Sequence, residues 1–488
     1  KADIVGFKNP EELAEKYNNV LYHRHQYARI EMFKNHFYIK EYDENVYEII
    51  YKLKRYAESG IKNYTHSVDL WMKNSGLIID CDEKKNALRN LFKNSKVAFI
   101  YGAAGTGKST MINYISSLFK DKQKIFLANT NPAVENLRRK VTAEHAEFVT
   151  ITKFLSKDVS NDCDILCLDE CSTISNRDMV RVLQRAQCKL LVLVGDIYQI
   201  ESILFGNWFN IAYKVMPKDS VAELTRPHRT TVQGLIEVWN KVREITEDRL
   251  EFITRNGLSS TLDESIFSRT EEDEIVLCLN YDGIYGINNI NKFLQSNNVN
   301  PSINWGVLSY KVGDPVLFNE SNRFAPLVYN NLKGKILQIE EEEDCIYFTI
   351  EVYTVLNELD VIGFDLELKE SVTDETSVIR FKVGRGGDGN DDNDNVENVV
   401  PFQVAYAISI HKAQGLEYES VKVVITSEIE EMVSHNIFYT AITRAKSKLK
   451  IYWSPETEKR ILENMKVQFN DKDYQLFKAK YKEALLKS

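Results

Sequence analysis

Short, continuous apolar runs, each followed by an amphipathic stretch, begin at Lys96 and occur in two sets along the chain. The first set is Val97–Tyr101, Ile125–Ala128, Ile165–Leu168 and Leu190–Val194. The second is Ile275–Leu279, Val404–Ile410, Val421–Ile425 and Leu449–Trp453. Unbroken β-rich runs alternating with helices predict parallel sheets covered on both faces, so two α/β units are expected. Between Asp314 and Val399 the pattern changes to strands without helices: Pro315–Phe318, Lys335–Glu340, Ile346–Val355, Val361–Leu368 and Val378–Val383. Closely spaced strands with turn signals predict a small antiparallel barrel set into the second unit.

Upstream, residues 1–90 read as helical, with aromatic and basic residues mixed: Tyr22, His23, Arg24, His25, Tyr27 and Arg29, then Phe33, Lys34, Phe37 and Tyr38. Such interleaving could stack on bases, but a helical domain with Tyr and Phe in its core is the preferred reading. The expected division is a helical region over 1–90, a first α/β domain over 91–225, and a second over 226–313 and 399–456. The barrel occupies 314–398 and a C-terminal helix 457–488.

A length of 488 residues suggests about three domains. Hydrophobic residues at 43% and charged residues at 27% mean that the chain buries a core and is not disordered. No apolar run approaches the roughly 18 residues that span a bilayer, so no membrane association is expected. Seven cysteines, an odd number without framework spacing, suit a reducing cytoplasm. Cys163, Cys167 and Cys171 are evenly spaced along a buried strand and its exit, where packing explains them better than a metal. The first residues, Lys-Ala-Asp-Ile, lack both Met and a signal-like apolar core. They suggest a protein partner or a fused domain N-terminal to this chain.

Gly102-Ala103-Ala-Gly105-Thr106-Gly107-Lys108-Ser109 follows an apolar run and precedes the helical stretch Thr110–Phe119. In that context glycines let backbone N–H groups close around a phosphate at a helix N-terminus. Lys108 would reach the β- and γ-phosphates of ATP, and the Ser109 hydroxyl would ligate Mg2+. Ile165-Leu-Cys-Leu-Asp169-Glu170 ends an apolar strand in two acids. The first suits Mg2+ and the second suits the water that attacks the γ-phosphate. Leu191–Gln199 ends in Gly195-Asp196-Ile-Tyr-Gln199, where a Gln can sense the γ-phosphate.

With these three segments on one chain, the sequence resembles the superfamily 1 helicases, specifically the RecD-like branch that travels 5′ to 3′, related also to the Upf-like helicases. The match runs in the family's order over roughly residues 97–453. Ala128-Asn-Thr130-Asn131-Pro-Ala-Val-Glu-Asn-Leu137 and Thr150-Ile-Thr resemble segments that hold nucleic-acid phosphates. Leu224-Thr-Arg-Pro-His-Arg229 resembles the segment whose last Arg approaches the γ-phosphate. Tyr406–Glu417 is similar to the fifth motif, so His411 and Lys412 are implied to touch the nucleic-acid backbone and Glu417 the ribose. Tyr439-Thr-Ala-Ile-Thr443-Arg444-Ala-Lys446 is similar to the sixth, making Arg444 the implied arginine finger. Gly313-Asp314-Pro-Val, with Asn330 and Gly334, resembles the entry to an SH3-like barrel inserted in the second RecA-like domain.

The resemblance implies two RecA-like P-loop domains that grip ATP with Lys108, Ser109, Thr110, Asp169, Glu170, Gln199, Arg229 and Arg444. An Arg supplied across a cleft acts only when the cleft is closed, so hydrolysis would drive alternating grips along a strand. Single-stranded nucleic acid, DNA ahead of RNA, is the implied partner. Two features depart from the family. Lys84 stands where relatives commonly carry a Gln that reads adenine. The interval Arg138–Asp164, where duplex-splitting relatives often place a hairpin wedge, is short and already holds Thr150. An ATP-switched clamp or translocase subunit without strand separation is therefore the alternative to a helicase, and a helicase-like scaffold for a partner domain is a third reading. Tyr198 and Trp208 are further stacking candidates, Trp208 being equally readable as a core residue, whereas His228 and His435 read as structural.

Net charge is −9, but residues 340–397 hold 18 acids and four bases. The rest of the chain is therefore mildly basic, as a strand-gripping protein requires. The acidity belongs to the inserted barrel and to its Gly/Asn/Asp loop from Gly384.

Overall fold

The structure is a computed structural model that describes residues 9–34, 36–156, 160–202, 204–226, 230–319, 323–325, 327–371, 373–384, 398–466 and 471–481. The chain groups into two units. One comprises Lys1–Asn129, Leu137–Arg229 and Val467–Ser488; the other comprises Thr130–Asn136 and Thr230–Lys466.

In the first unit, strands β1 (Ile30–Phe33) and β2 (His36–Ile39) form an antiparallel hairpin within the stretch expected to be wholly helical. Lys34 adopts a left-handed φ of 54° at its turn. Both strands are only four residues long and mix polar with apolar groups, so their two-residue period is hard to see. The helices Lys40–Ala57, Tyr64–Asn74 and Asp82–Asn90 follow. Apolar residues of all three pack into the layers around the next sheet, so residues 40–90 cover the first parallel sheet. Tyr22 and Tyr27, placed in a core by the preferred reading, are instead exposed, at 57% and 47%.

Strands β3 (Val97–Gly102), β4 (Lys124–Ala128), β5 (Ala146–Thr150), β6 (Asp162–Leu168), β7 (Gln187–Gly195) and β8 (Val221–Leu224) make one six-stranded sheet in the order β5-β4-β6-β7-β3-β8. Every pair is parallel, so all carboxyl ends share one edge. β3 and β4 are buried throughout, as continuous apolar runs require when helices cover both faces. One covering helix, Asn176–Arg185, starts where Ser175 Oγ accepts the Asp178 N–H at 3.0 Å, and it buries Met179, Val180 and Val182. Trp208 is also core: it is fully buried and its Nε1 donates to the Ile174 carbonyl at 3.0 Å. Cys163, Cys167 and Cys171 are buried thiols of this unit, and burial pushes the Cys163 thiol up to about 12. Among the described residues the C-terminal stretch contains two helices, of which Asp471–Lys480 belongs to the first unit and buries Leu476 and Phe477.

In the second unit, β9 (Ser259–Ser260) and β10 (Glu274–Cys278) lead to a hairpin of β11 (Ser302–Trp305) and β12 (Leu308–Lys311). Next come β13 (Pro315–Phe318), β14 (Lys333–Glu341), β15 (Cys345–Val352), β16 (Glu367–Lys369), β17 (Ser377–Gly384) and β18 (Phe402–Val404). These six form an antiparallel sheet in the order β16-β17-β15-β14-β13-β18, and its edge strands are not paired with each other among the described residues. β15 alternates half-buried and buried residues along its length, as a sheet with one core face requires. Trp305 and Tyr310 of the preceding hairpin share this core, so the insertion runs from about Ser302 to Val404. Residues 361–366, expected in a strand, are turn or irregular, and only Glu367–Lys369 pairs. The Gly/Asn/Asp loop lies outside the described residues from 385 to 397.

Strands β19 (Ala407–Ser409), β20 (Tyr418–Val424) and β21 (Ala445–Tyr452) complete a parallel five-stranded sheet, β19-β10-β20-β21-β9. The single apolar run Val404–Ile410 is thus divided: its start ends the inserted sheet and its remainder enters the parallel one. The helix Pro455–Asn464 closes this unit. Among the described residues no helix is long and apolar enough to cross a membrane.

Candidate nucleotide and nucleic-acid site

The phosphate loop joins β3 to the helix Lys108–Leu118. Gly105 and Gly107 have φ of 77° and 85°, a left-handed backbone that favours glycine. Gly107 caps the helix, so its neighbours' N–H groups stand at the positive end of the helix dipole. The Thr106 hydroxyl donates to the Ala103 carbonyl at 3.0 Å, and a Cβ on Gly102 would lie 2.5 Å from that hydroxyl oxygen. Lys108 Nζ donates to the carbonyls of Gly102 and Ala103 at 2.8 and 2.9 Å, which folds the ammonium over the loop. Ser109 and Thr110 follow in the helix's first turn and are half-buried.

Three strands place the remaining groups of this unit on the same carboxyl edge. β6 ends at Leu168, and Asp169 Oδ1 accepts the Glu170 N–H at 2.8 Å. Desolvation raises the Asp169 carboxyl above the ordinary value, against the opposing pull of Lys108 and Lys140. Glu170 has φ of 52°, left-handed for a non-glycine residue, the kind of strain that collects at functional sites. β7 ends at Gly195, where a Cβ would meet the Phe209 ring at 2.7 Å. Asp196 then accepts the Tyr198 N–H at 3.0 Å, and the Gln199 N–H reaches the Asp196 carbonyl at 3.3 Å. Lys108, Asp169, Glu170 and Gln199 therefore all follow neighbouring strand ends, where ligands of parallel sheets bind.

Sequence reasoning noticed Lys84 but not its position. It is 1% exposed, its Nζ donates to Asp80 Oδ2 at 2.5 Å, and it lies 2.5 Å from where a Gly107 Cβ would stand. The preceding residue, Glu83, accepts the Thr225 N–H at 3.1 Å and its hydroxyl at 2.9 Å, steadying the start of the Thr225–Arg229 segment. One helical turn thus supports two motif segments of the same unit. Arg229 and His228 lie outside the described residues.

In the second unit, Arg444 is 3% exposed and bound by backbone oxygens. Its Nε donates to the Thr440 carbonyl at 3.0 Å, and one terminal N–H donates to the Leu416 carbonyl at 3.2 Å. The guanidinium therefore ties the sixth-motif helix, His435–Ile442, to the fifth-motif loop. Glu417 is half-buried in that loop, and its carbonyl accepts Lys333 Nζ at 3.3 Å. His411 is exposed. Lys412 Nζ donates to Gln403 at 2.9 Å and Asn319 at 3.2 Å, and burial lowers its ammonium below the usual range. His435 is buried against the Val242 carbonyl at 2.9 Å, as a structural histidine should be. Thr130 precedes the helix Asn131–Lys140, and its hydroxyl accepts the Ala133 N–H at 3.4 Å. Thr150, in the first unit, caps the helix Ile151–Leu155 through the Lys153 N–H at 3.2 Å. Both threonines thus sit at helix N-termini, which favour phosphate.

Among known proteins, residues 81–263 match the AAA domain family and residues 404–452 the UvrD-like helicase C-terminal domain. An uncharacterised protein of Methanocaldococcus jannaschii is 24% identical over 448 residues, covering 75% of this chain and 37% of its own length. The RecBCD enzyme subunit RecD of Buchnera aphidicola is 23% identical over 503 residues, covering 79% of this chain and 78% of its own. The ATP-dependent DNA helicase Pif1 of Campylobacter jejuni is 23% identical over 438 residues, covering 72% and 88%. The chain spans little more than a third of the length of the Methanocaldococcus jannaschii relative. The order of the motifs, the AAA-domain and UvrD-like helicase C-terminal matches and the RecD and Pif1 relatives together support a likeness to the RecD- and Pif1-like superfamily 1 helicases.

Proposed function

We propose that this chain is a nucleic-acid-stimulated ATPase that moves 5′ to 3′ on single-stranded DNA and separates strands as it goes. The observation that carries the reading is the carboxyl edge of the first parallel sheet. There a left-handed glycine loop presents Lys108 and a helix N-terminus, and the neighbouring strands end in Asp169-Glu170 and Asp196–Gln199. Those residue types suit a nucleoside triphosphate with Mg2+. Ser109 and Asp169 offer a hydroxyl and a carboxylate, and Mg2+ prefers one or two protein oxygens with phosphate oxygens completing the set. The ion would neutralise charge on the β- and γ-phosphates.

Glu170 is the base proposed to take the proton of the attacking water, Gln199 the γ-phosphate sensor, and Arg229 and Arg444 the cations that meet transition-state charge. Thr130, Asn131, Thr150, His411 and Lys412 are proposed to hold the strand's phosphates. DNA is favoured because the Pif1 relative is by name a DNA helicase. A cytoplasmic location is proposed on the seven free, mostly buried cysteines.

A second reading, a translocase or ATP-switched clamp without strand separation, is favoured by one region. Between Arg138 and Asp164 the described chain holds the end of one helix, strand β5, the helix Ile151–Leu155 and the start of β6, and no hairpin wedge. The deciding experiment follows ATP hydrolysis with and without single-stranded DNA or RNA, beside displacement of duplexes carrying a 5′ or a 3′ tail. Stimulation by DNA with displacement from the 5′ tail is expected. No stimulation by either nucleic acid would sink the ATPase motor, and stimulation without displacement would select the clamp. Glu170→Gln should bind ATP as the parent does and turn over about 10^2- to 10^4-fold more slowly. Parent-like turnover would move the base elsewhere.

A further inference from the structure

We propose that the exposed segment Tyr22–Lys34 is a second single-strand binding face, outside the motor motifs, which stacks bases on Tyr22, His23, His25 and Tyr27 and holds phosphates with Arg24, Arg29 and Lys34. The proposal rests on the reading of this chain as a nucleic-acid motor. Its basis is what these residues leave open. From Tyr22 to Arg29 the chain reads Tyr-His-Arg-His-Gln-Tyr-Ala-Arg, with no acid and no aliphatic side chain larger than alanine. His23–Ala28 is a 3-10 turn with no buried residue. Tyr22 is 57% and Tyr27 47% exposed, and His23, Arg24, His25, Arg29 and Lys34 are exposed with them.

The rings already stand close to one another. Tyr22 and His23 have centroids 4.1 Å apart, His25 and Tyr27 5.8 Å, and Tyr22 and His25 6.2 Å. His25 Nδ1 is 3.0 Å from the Tyr27 hydroxyl, which fixes that pair's orientation. Rings spaced along a basic strip are what sequence-tolerant single-strand binding uses, since every base offers a π-face.

The strip is held in place. Asn18 clamps Ile30 through both backbone groups, donating to its carbonyl at 2.8 Å and accepting its N–H at 2.9 Å. The Lys40 N–H donates to the Arg29 carbonyl at 2.9 Å. Charge selects the occupant. The one acid between Tyr22 and Lys40 is Glu31, which accepts the Tyr38 hydroxyl at 3.1 Å and lies 3.9 Å from Lys40 Nζ. Arg24 has no side-chain partner among the described residues, so a phosphate would be its first. The adjoining helix Pro10–Val20 carries Glu11, Glu12 and Glu15 and would bound the strand's path on that side.

The test uses the full chain and a fluorescent oligodeoxythymidylate, with an oligouridylate in parallel, titrated over a range of stated salt concentrations. Tyr22→Ala/Tyr27→Ala should weaken binding about ten-fold or more. Arg24→Gln/Arg29→Gln should lower the salt slope by about 1.4, since each single-strand phosphate left unneutralised removes about 0.7. ATP hydrolysis without nucleic acid should stay at the parental rate in both variants, because neither touches the nucleotide residues. Exposed positions leave folding intact, which circular dichroism checks. If both variants bind within two-fold of the parent with parental salt slopes, while DNA still stimulates hydrolysis, the second face is overturned and the strip faces a protein instead. A parent that binds neither oligonucleotide overturns the nucleic-acid reading itself, and this face with it.

Discussion

In the first parallel sheet the middle of each central strand is apolar, and accessible charge stands at the ends: Asp169 and Glu170 beyond β6, Lys108 beyond β3, and Asp164 and Lys189 toward the amino edge. In the second unit charge is buried. Glu274 of β10 and Lys422 of β20 pair at 3.0 Å with side chains 2% and 7% exposed, and Arg444 is buried among carbonyls. An end-placed group is held by a few local bonds and can exchange them for a ligand. An interior group is held by the fold, so removing it disturbs structure as well as chemistry.

The sharpest division is expected between Lys108 and Arg444. If Arg444 is the arginine finger, Arg444→Ala should slow hydrolysis by about 10^3-fold or more. It should also lower the denaturation midpoint, because the Thr440 and Leu416 carbonyls are left without their buried donor, at about 1–3 kcal/mol. Lys108→Ala should slow hydrolysis by about 10^2- to 10^3-fold and leave the midpoint near that of the parent, since its half-buried ammonium rests on the open loop. Steady-state kinetics beside urea titration of each variant separates the two. Arg444→Ala with reduced stability but parental hydrolysis would make that guanidinium a strut alone and break the parallel between the two cations.

Stability without chemistry comes next. Lys422 Nζ also donates to the Ser265 carbonyl at 3.0 Å and to that of Ser268, while Glu274 accepts the Ser420 and Thr270 hydroxyls at 2.9 Å each. Lys422→Met strands a buried carboxylate and should cost about 3–5 kcal/mol of unfolding free energy. The double variant Lys422→Met/Glu274→Leu should recover part of that stability, because no charge is left unpaired, while the Ser265 and Ser268 carbonyls still lose their donor. Urea titrations of both read the result. A single variant as stable as the parent would show that the second sheet does not depend on its interior charge.

What could be read in the sequence follows the same division. The phosphate loop, the Asp169-Glu170 strand end and the Gly195–Gln199 turn are local patterns, set by φ preferences and by one strand each. The apolar runs found most of both parallel sheets for the same reason. Contacts made by the fold were not legible. Nothing near Lys84 announces that its ammonium fills the hollow beside Gly107, and nothing near Arg444 announces the Leu416 carbonyl. Val404–Ile410 reads as one strand because period alone cannot show a change of sheet. The change falls at Tyr406, whose hydroxyl donates to buried Asp314 at 2.8 Å. The β1–β2 hairpin was hidden by its short, mixed strands, and with it the exposure of Tyr22 and Tyr27.

The smallest effect is expected at the amino edge of the first sheet, and it tests whether end-placed charge there is merely local. Asp164 Oδ1 accepts Lys189 Nζ at 2.7 Å and Oδ2 accepts the Gln123 N–H at 3.0 Å. The Lys189 hydrogen bond first, then the Gln123 N–H, holds the Asp164 carboxyl below its ordinary value. A carboxyl depressed in the folded state stabilises above its unfolded pKa and loses that contribution as pH falls through the folded value. Lys189 is 81% exposed, so water screens the pair, and Asp164→Asn should cost less than about 1 kcal/mol at pH 7. The difference from the parent should shrink as urea midpoints are taken stepwise from neutral pH into the acid range. A cost as large as that of Lys422→Met, or one unchanged by acid, would mean that Asp164 carries structural load at the sheet's edge, and the contrast between edge and interior charge would fail there.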